Sequence, residues 1–518
     1  MAVGEAIDDV LAKAGVDGLR LREALALLGD GRWWTLPDLV RETATSRRSV
    51  EALLRALPLE RSGDRVRIPT DQAKRYNTPI QEDISDLGNP VAGLVPRYAD
   101  VLDRLESLIA RAPRGRSALD HVSATAETVL RRALLLGRRF WLPGARLLCV
   151  GDHDLTSLAV RMVHPEVEVA VADIDDRILA YIDEQDLGVR TRWADLRLGL
   201  PVSLRGWADL AVTDPPYTPE GVGLFAARAA EGLRDRDEGR ILLAYGASER
   251  TPMLALKVQK ALSDLNLLNE AIFPNFNRYH GAEAIGSAAD LYVLRPTTKT
   301  WPSVAARLDR LATAIYTQGP QAVEAAPAPA PSAPSAQEPG DLAAFAPGLL
   351  VGDWPREVLP SVPRVRLATW LAKPYAADPE RVAVAVPAGL EAALPRLLLA
   401  TRARRVRVVL SAPVGPPAPL TPVYDLTAEG QVIDAVRLPL PDGPAERVVR
   451  RILDNAHGKV ANAWREGLTE AAGLTKRQAR AAVEEVAPWA GDVSPLELPL
   501  HRLAGLPAAV ACTLRPPA

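Results

Sequence analysis

The sequence predicts that the middle of the chain is a doubly wound, Rossmann-like α/β domain. Apolar runs of strand length at 147–150 and 210–213 each end in polar residues that include acids. A third run, at 167–172, ends in Asp173, which follows Gly151 by 22 residues. Nucleotide-binding folds place an acid on the ribose hydroxyls at about this spacing. Because ligands in such sheets bind beyond the carboxyl ends of the strands, these ends predict the site.

The predicted site is a nucleoside site built from four successive strand ends. Gly151 and Asp152 follow the first strand, and Asp173 is assigned to the ribose hydroxyls. Asp195 ends a possible next strand and is placed against the adenine. The fourth end begins with Asp214. The predicted cofactor-binding residues are therefore Gly151, Asp152, Asp173 and Asp195.

Further strand-like runs complete the predicted sheet. They lie at 239–245, 268–273 and 290–294, and a helical segment at 253–265 follows the first of them. A sheet of about seven strands results, which suits the S-adenosylmethionine-type transferases with their added antiparallel edge strand. The catalytic domain is predicted to span residues 140–316.

Composition excludes several classes of protein. The 518 residues are 48% hydrophobic and carry a formal net charge of −2. The chain can thus bury a core and has no bulk attraction for nucleic acid or acidic lipid. Two cysteines, Cys149 and Cys512, are too few for a disulfide framework. The sequence starts without a signal-peptide pattern and contains no run of 18 apolar residues, so we expect a cytoplasmic protein without a membrane partner.

Residues 1–85 predict a winged-helix-like domain. Helical spacing at 36–40 and 46–54 is followed by two alternating strands at 59–68. Arg47 and Arg48 on the second helix would suit DNA binding. The alternative, which we prefer, is a dimerisation or lid module inherited by an enzyme. Residues 86–139 are predicted to be a helical connector, with Thr125 and Glu127 as the cap and first-turn acid of its second helix.

A linker rich in Pro and Ala, residues 317–340, precedes a further α/β domain of unknown role, residues 341–518. This composition predicts an extended, semi-rigid linker. Apolar runs at 382–386 and 406–410 flank a helical segment at 390–399, which indicates a βαβ unit. Few contacts cross a typical domain boundary, so truncation near residue 318 is expected to leave a folded enzyme.

The motif Asp214-Pro215-Pro216-Tyr217 predicts chemistry on an amine. Two prolines stiffen the turn, and their carbonyls are expected to lack local N–H donors, so an amine can donate to them. Tyr217 offers a flat face to a cation or a base. The same four residues occur in amino-group DNA methyltransferases, so the motif indicates amine alkylation without naming the amine.

The first loop discriminates between donors. Nucleotide folds usually carry Gly-x-Gly there, but Asp154 replaces the second glycine and Asp152 stands beside it. Carboxylates at this position would repel the methionine carboxylate of S-adenosylmethionine and pair with an aminopropyl ammonium. From Gly151 to Phe225 there are 14 Asp and Glu against 6 Arg and Lys, which predicts an acidic cleft that concentrates polycations. A solvated acidic surface would explain only acids such as Asp183, Glu184 and Asp186.

Four stretches resemble the N(4)-bis(aminopropyl)spermidine synthase family, the branched-chain polyamine synthases. The likeness covers about residues 20 to 300. The stretches at 124–128 and 276–279 are similar as well. The four stretches are Gly151 to Ser157, Ala172 to Asp175, Ala194 to Arg197 and Thr213 to Thr218.

The resemblance implies an aminopropyltransferase whose donor is decarboxylated S-adenosylmethionine and whose acceptor is a secondary nitrogen of a polyamine such as spermidine. It also implies the winged-helix-like and Rossmann-like domains and a homodimer. Family members carry three consecutive acids in the first loop, the last of which is catalytic and matches Asp154; the middle acid is His153 here. The predicted substrate-binding residues are Pro215, Pro216, Tyr279 and Glu283.

The predicted reaction is a direct displacement that needs no metal. The acceptor nitrogen attacks the methylene beside the sulfonium, and methylthioadenosine leaves. Asp154 is the predicted base, Asp214 and the carbonyl of Pro215 orient the amine, and Tyr217 packs on it. Two alternatives stay open. One is an S-adenosylmethionine-dependent methyltransferase of amines or nucleic acid, although nucleic acid is not an expected partner; the other is a non-enzymatic DNA-binding regulator, which His153 favours.

Overall fold

The protein is represented by a computed structural model that describes residues 3–14, 18–76, 89–310, 312–319, 321–323 and 339–514. Most of the predicted linker, residues 324–338, lies outside the described residues. The strands are β1 Trp34–Thr35, β2 Glu60–Ser62, β3 Arg65–Arg67, β4 Arg146–Val150, β5 Glu168–Asp173, β6 Arg190–Trp193, β7 Leu210–Thr213, β8 Arg240–Tyr245, β9 Leu268–Arg278, β10 Ala288–Arg295, β11 Leu349–Val351, β12 Arg364–Val365, β13 Arg381–Val386, β14 Arg405–Leu410, β15 Tyr424–Glu429 and β16 Val432–Arg437.

The α-helices are distributed along the whole chain. They are α1 Val3–Ala14, α2 Gly18–Leu28, α3 Leu36–Thr43, α4 Arg47–Ala56, α5 Thr70–Tyr76, α6 Ala99–Arg111, α7 Ala126–Arg139, α8 Thr156–Val163, α9 Asp176–Glu184, α10 Pro219–Gly232, α11 Pro252–Asp264, α12 Thr300–Leu308, α13 Pro339–Phe345, α14 Leu367–Ala372, α15 Leu394–Leu399, α16 Pro444–Asp454, α17 Val460–Ala472, α18 Lys476–Val486 and α19 Leu500–Thr513.

The chain divides into two compact units, and the division differs from the predicted domain bounds. The first unit comprises Met1–Glu168, Asp209–Ala230 and Asp235–Val304. The second comprises Val169–Ala208, Glu231–Arg234 and Ala305–Ala518. Part of the predicted catalytic domain, including β5 and β6, is therefore grouped with the C-terminal region.

In the first unit, the N-terminal part contains the predicted helix pair and hairpin. Thr35 caps α3 through its hydroxyl, which accepts from the N–H of Asp38, and Ser46 caps α4 in the same way. The strands pair in the order β1-β3-β2, all antiparallel. Buried side chains of α2, α3 and α4 form one core with Val66 and Ile68.

The larger sheet of the first unit has the order β4-β7-β8-β10-β9. The first three strands are parallel, and β10 runs antiparallel to both β8 and β9. Strands β7 and β8 are buried along almost their whole length, as expected for parallel strands covered on both faces. The prediction that the loops after the first run and after 210–213 lie at one edge of the sheet is thus confirmed, because β4 and β7 pair side by side in parallel.

In the second unit, β5 and β6 pair in parallel, and a separate sheet has the order β12-β11-β13-β14-β16-β15. Several ion pairs join the segment 169–208 to the C-terminal helices and loops of the same unit. Asp183 accepts from Arg502 at 2.8 Å and lies 2.7 Å from His501 Nε2. Arg396 Nη2 donates to Asp176 at 3.2 Å. The expectation that few contacts would cross this part of the chain is therefore not supported.

The two sheets share one strand order. In the second unit β11, β13 and β14 are parallel, and β16 is antiparallel to both β14 and β15. This is the same order and the same set of directions as β4-β7-β8-β10-β9. The first strands also end alike: both are followed by Gly-Asp, and Gly151 and Gly352 have φ of 72° and 95°. The C-terminal α/β domain is thus a second version of the same topology.

Among the described residues, no helix is long and apolar enough to cross a membrane.

Candidate active site

The first loop begins where β4 ends, and its first acid caps a helix. Gly151 takes a left-handed conformation that turns the chain away from the strand. The carboxylate of Asp152, which is buried, then accepts from the N–H of Ser157 in the first turn of α8, at 3.2 and 3.3 Å. A helix N-terminus attracts anions. In this chain the protein's own carboxylate occupies that position.

Asp154 points in another direction and is also buried. Its Oδ1 accepts from the N–H of Ala124 at 2.9 Å, and its Oδ2 accepts from Arg132 Nη1 at 2.8 Å. Arg132 belongs to α7, whose N-terminus is capped by Thr125, as the sequence predicts. The predicted catalytic acid is therefore one half of a buried ion pair.

Arg132 joins the two predicted catalytic acids. Its side chain is 2% exposed, and its Nη2 donates to Asp214 Oδ2 at 2.6 Å. Its Nε donates to Asn277 at 2.8 Å, and the amide of Asn277 in turn donates to backbone carbonyls of β10 at 3.3 Å. The guanidinium is thus fixed between the loop after β4 and the end of β7.

Two tyrosines complete the cluster around Asp214. Tyr217 donates to Asp214 Oδ1 at 2.9 Å, and Tyr279 donates to Asp214 Oδ2 at 2.7 Å. The two phenolic oxygens are 2.9 Å apart. The ring of Tyr217 packs edge to face on Tyr245, with centroids 5.4 Å apart. The structure therefore brings together four predicted site residues, Asp154, Asp214, Tyr217 and Tyr279, with Arg132 in the centre.

Burial dominates the electrostatics of the cluster. It raises the pKa of Asp214 to about 6; the charge of Arg132 works against this rise, and the charge of Asp154 adds to it. The pKa values of Tyr217 and Tyr279 are raised by burial and by the neighbouring Asp214. The pKa of Arg132 stays above its ordinary value, because the attraction of both acids outweighs its burial. The cluster thus places one cation between two acids, and burial brings the pKa of one of them, Asp214, to about 6.

A cavity of about 210 Å³ adjoins Asp154. Its lining includes Arg114, Ser123, Ala124 and His153. The imidazole of His153 stacks on that of His121, with centroids 4.3 Å apart and planes inclined by 12°. The residue that replaces the family's middle acid therefore faces the same cavity as the predicted catalytic acid.

Two of the predicted substrate-binding residues, Pro216 and Glu283, make contacts within the protein. The carbonyl of Pro216 accepts from the N–H of Thr218 at 2.8 Å, so the prediction that both proline carbonyls lack local donors is wrong for Pro216. Glu283 forms an ion pair with Arg47 of α4. Its carboxylate is thus engaged by the N-terminal domain.

Asp173 and Asp195 belong to the second unit and follow parallel neighbouring strands. Asp173 ends β5, and its Oδ1 accepts from the N–H of Asp175 at 2.7 Å. Asp195 lies two residues beyond β6 and forms a buried two-pronged ion pair with Arg197, at 2.7 and 2.8 Å. Because several acids of 151–225 pair with arginines in this way, the net acidic count of that stretch overstates the free negative charge.

Arg132 is the member of this cluster that the sequence analysis does not identify. It lies among buried apolar residues of α7, including Val129, Leu130 and Ala133. An arginine on the apolar face of an amphipathic helix was the available signal, because such a charge is buried only with a partner. The identity of the partners, however, depends on residues 22 and 82 positions away. In the part of the chain that the structure describes, no group of three or more His, Cys, Asp or Glu side chains could hold a metal ion.

Fold and site together define an α/β protein with a partly buried cluster of acids and tyrosines at the carboxyl edge of a mainly parallel sheet. Comparison with known proteins makes the class more specific. The family profile of the branched-chain polyamine synthase A C-terminal domain matches residues 100–324. The resemblance to the N(4)-bis(aminopropyl)spermidine synthase family is therefore confirmed for this part of the chain.

Individual relatives match the same part. An uncharacterised protein of Methanocaldococcus jannaschii is 36% identical over 195 residues, which are 37% of this chain and 49% of the relative. The N(4)-bis(aminopropyl)spermidine synthase of the same organism is 31% identical over 193 residues, which are 35% of this chain and 53% of the relative. The chain thus spans about half the length of these curated relatives.

Among solved structures, the branched-chain polyamine synthase from Thermus thermophilus in complex with N4-aminopropylspermidine and 5'-methylthioadenosine is 19% identical. The alignment covers 56% of this chain and 92% of that chain, with a TM-score of 0.41.

Proposed function

We propose that this protein is an aminopropyltransferase that alkylates a secondary amine of a polyamine such as spermidine. The single observation that carries the proposal is the position of Asp152 at the N-terminus of α8, near the two acids, Asp154 and Asp214, that pair with Arg132. Relatives named N(4)-bis(aminopropyl)spermidine synthase, which match about half of their length, support the same reaction.

The capping contact of Asp152 favours decarboxylated S-adenosylmethionine as the donor. The N–H groups of a helix N-terminus are a natural site for an anionic ligand group. Here the N–H of Ser157 is satisfied by Asp152, so a second carboxylate would meet like charge. An ammonium at the same place would be attracted. The assignments of Asp173 to the ribose and Asp195 to the adenine remain predictions, as does the role of Glu283.

Asp214 suits the role of proton acceptor better than Asp154, to which the sequence analysis assigns it. Efficient acid–base groups have a pKa near the working pH, and burial raises the pKa of Asp214 to about 6. Asp154 instead has one oxygen on a backbone N–H and the other on Arg132. We therefore assign Asp154 to orienting the acceptor's positive charge and Asp214 to receiving the proton.

The proposed reaction proceeds in one displacement. The acceptor ammonium passes one proton to Asp214 and gains a lone pair. That lone pair attacks the methylene carbon next to the sulfonium and forms the new C–N bond. The C–S bond breaks, its electron pair returns to sulfur, and neutral methylthioadenosine leaves. Tyr217 and the carbonyl of Pro215 hold the nitrogen in line, which supplies much of the rate.

Product analysis tests this function against its alternatives. The purified protein is incubated with spermidine and either decarboxylated or intact S-adenosylmethionine, and methylthioadenosine and S-adenosylhomocysteine are quantified. We expect methylthioadenosine, and only from the decarboxylated donor. Formation of S-adenosylhomocysteine would indicate a methyltransferase. If neither product forms, the result favours a non-enzymatic protein.

The N-terminal domain is proposed to be a winged-helix-like module that serves the enzyme, in a homodimer. Its α4 is held against the rest of the first unit: Ser49 donates to Glu249 at 2.8 Å, Arg250 donates to Ser49 at 3.0 Å, and Arg47 pairs with Glu283. These contacts use one of the two arginines that DNA binding would need. Gel filtration with light scattering tests the dimer, and a mobility shift with duplex DNA tests the alternative.

A further inference from the structure

The guanidinium of Arg132 makes contacts in three directions. Its Nη1 donates to Asp154 in the loop after β4 at 2.8 Å and to Thr156 at the start of α8 at 3.2 Å. Its Nη2 faces Asp214, at 2.6 Å. Its Nε is held by Asn277. A planar fork that satisfies two carboxylates and an amide is a geometry that arginine provides and lysine does not.

We propose that Arg132 is a positioning residue that holds Asp154 and Asp214 in register and keeps Asp214 ionised at neutral pH. The inference rests on the proposed function, in which Asp214 must be ionised to accept the acceptor's proton. Arg132 acts through the two acids and not on the substrate itself.

Each group that faces Asp214 acts in a known direction. Arg132, on α7, lowers its pKa, and Asp154, in the loop after β4, raises it. Tyr279, which follows β9, lowers the pKa of Asp214 by donating a hydrogen bond to it. Tyr217, in the loop after β7 that also holds Asp214, donates to the other carboxylate oxygen. Burial is the largest cause of the rise. Without Arg132, burial and Asp154 would both act unopposed by a cation, and the pKa of Asp214 would rise.

Carbon-13 NMR of protein labelled at the aspartate carboxyl carbons tests this directly, without turnover. We expect a resonance that titrates near pH 6 in the wild type and is absent from Asp214→Asn. In Arg132→Met it should titrate at least one pH unit higher, since one unit corresponds to a modest change in a buried charge interaction. In the double variant Arg132→Met/Asp154→Asn it should move back, because the opposing carboxylate is also gone.

Controls separate this role from a structural one. Arg131→Met removes the neighbouring arginine of α7, which pairs with Glu127 and not with the cluster, and should leave the titration unchanged. Arg132→Lys keeps a positive charge and replaces Arg132→Met if the latter does not fold. In Arg132→Lys the Asp214 resonance should titrate between the wild-type pH and that of Arg132→Met. An Asp214 resonance that stays near pH 6 in Arg132→Met, or in Arg132→Lys together with the double variant, would overturn the proposal.

The outcome is distinguishable from failure of the proposed function. Turnover of the same variants gives a second readout: the acidic limb of the rate of methylthioadenosine formation should shift upward with the NMR titration. If the wild type forms no methylthioadenosine but the resonance shifts, then the proposed function is wrong and the role of Arg132 stands. If the enzyme is active and neither the acidic limb of its rate nor the Asp214 resonance shifts in the variants, then only the proposed role of Arg132 is wrong.

A second inference follows from the shared strand order of the two sheets. In the second unit, the loop after β11 begins with Gly352 and Asp353, as the loop after β4 begins with Gly151 and Asp152. The next residue, Trp354, is 6% exposed, packs in a core with Leu350, Ala383 and Ala385, and donates to the carbonyl of Val351 at 2.9 Å. The corresponding loop of the first sheet turns acids inward instead.

We infer that residues 339–514 are a second copy of the transferase sheet whose first loop has become a packing element, so that each chain has one donor site. The strand end after β13 agrees, because Pro387-Ala388-Gly389 stands where Asp214-Pro215-Pro216 follows β7. This inference also rests on the proposed function, which supplies the ligand.

Calorimetric titration with methylthioadenosine measures the number of sites per chain. We expect one, and Asp353→Asn should leave both the number and the affinity unchanged. Two sites per chain, or a weakened site in Asp353→Asn, would overturn the inference. No binding to the wild type at all would contradict the proposed function instead.

Discussion

Truncation after residue 318 should destroy the folded state of the segment 169–208. The contacts that argue for this all lie within the second unit. Asp176 loses Arg396 and the N–H of Leu500, which donates to it at 2.6 Å. Asp183, whose pKa is held down by His501 and Arg502 against the effect of burial, loses both partners. The truncation thus leaves two largely buried carboxylates without the cations that compensate them.

The magnitude can be worked out from one of these pairs. Arg396 is fully buried, donates to the carbonyl of Leu498 at 2.8 Å, and lies 4.1 Å from the ring centroid of Trp193. Removing one partner of a buried ion pair typically costs about 3 to 5 kcal/mol. Asp176 is 20% exposed and keeps the N–H of Leu500, so we expect about 3 kcal/mol for Arg396→Met. Several such losses together approach the roughly 5 to 15 kcal/mol that stabilises a typical protein.

Urea denaturation followed by circular dichroism measures the point variant. With a slope of about 3 kcal/mol/M, Arg396→Met should lower the urea midpoint by roughly 1 M. Arg404→Met is the matched control, because Arg404 is exposed and its pair with Glu380 is long, at 3.6 Å; its effect should stay within about 0.5 kcal/mol. The truncated protein should be insoluble or lack a cooperative transition.

A soluble truncated protein with a cooperative transition and wild-type affinity for methylthioadenosine would refute this reasoning. So would an Arg396→Met variant that is as stable as Arg404→Met. Either result would mean that the ion pairs of the second unit contribute little to the stability of the segment 169–208. The catalytic domain would then fold without residues 341–518, as the sequence predicts.

Further predictions concern the site. Asp214→Asn should lower methylthioadenosine formation by about 10² to 10⁴-fold while methylthioadenosine binding, measured by calorimetry, persists; because the carboxylate is lost as pH falls through its pKa of about 6, the wild-type rate should decline below that pH. Asp154→Asn should raise the acceptor KM more than it lowers kcat. A loss of kcat with an unchanged KM would indicate instead that Asp154 is the base. Asp152→Asn keeps a capping oxygen but removes the charge, so the preference for decarboxylated over intact donor in competition assays should fall by about tenfold or more; an unchanged preference would contradict the charge argument. His153→Asp adds a negative charge to the cavity beside Asp154 and should lower the Kd of a tetraamine. An unchanged Kd would contradict this prediction.

The sequence by itself determined the local elements and the strand ends that carry the chemistry. Gly151 at the end of an apolar run, and Asp214 before two prolines, predict strand ends because apolar runs and turn residues act locally. The strands at β4, β7, β8 and β10 follow the predicted runs within a few residues. Tyr279 was assigned to substrate binding by family resemblance; in the structure it lies beside Asp214, and its role stays a prediction.

Only the tertiary structure decided how the acids are paired. Arg132 meets Asp154 and Asp214 because α7 packs at the carboxyl edge of the sheet, and no local pattern encodes a contact across 82 residues. In the same way Asp183 meets His501 across 318 residues, so the acidic count of the segment could not reveal which charges stay free. Ionisation depends on burial and on the nearest opposite charge, and both are set by packing between distant parts of the chain.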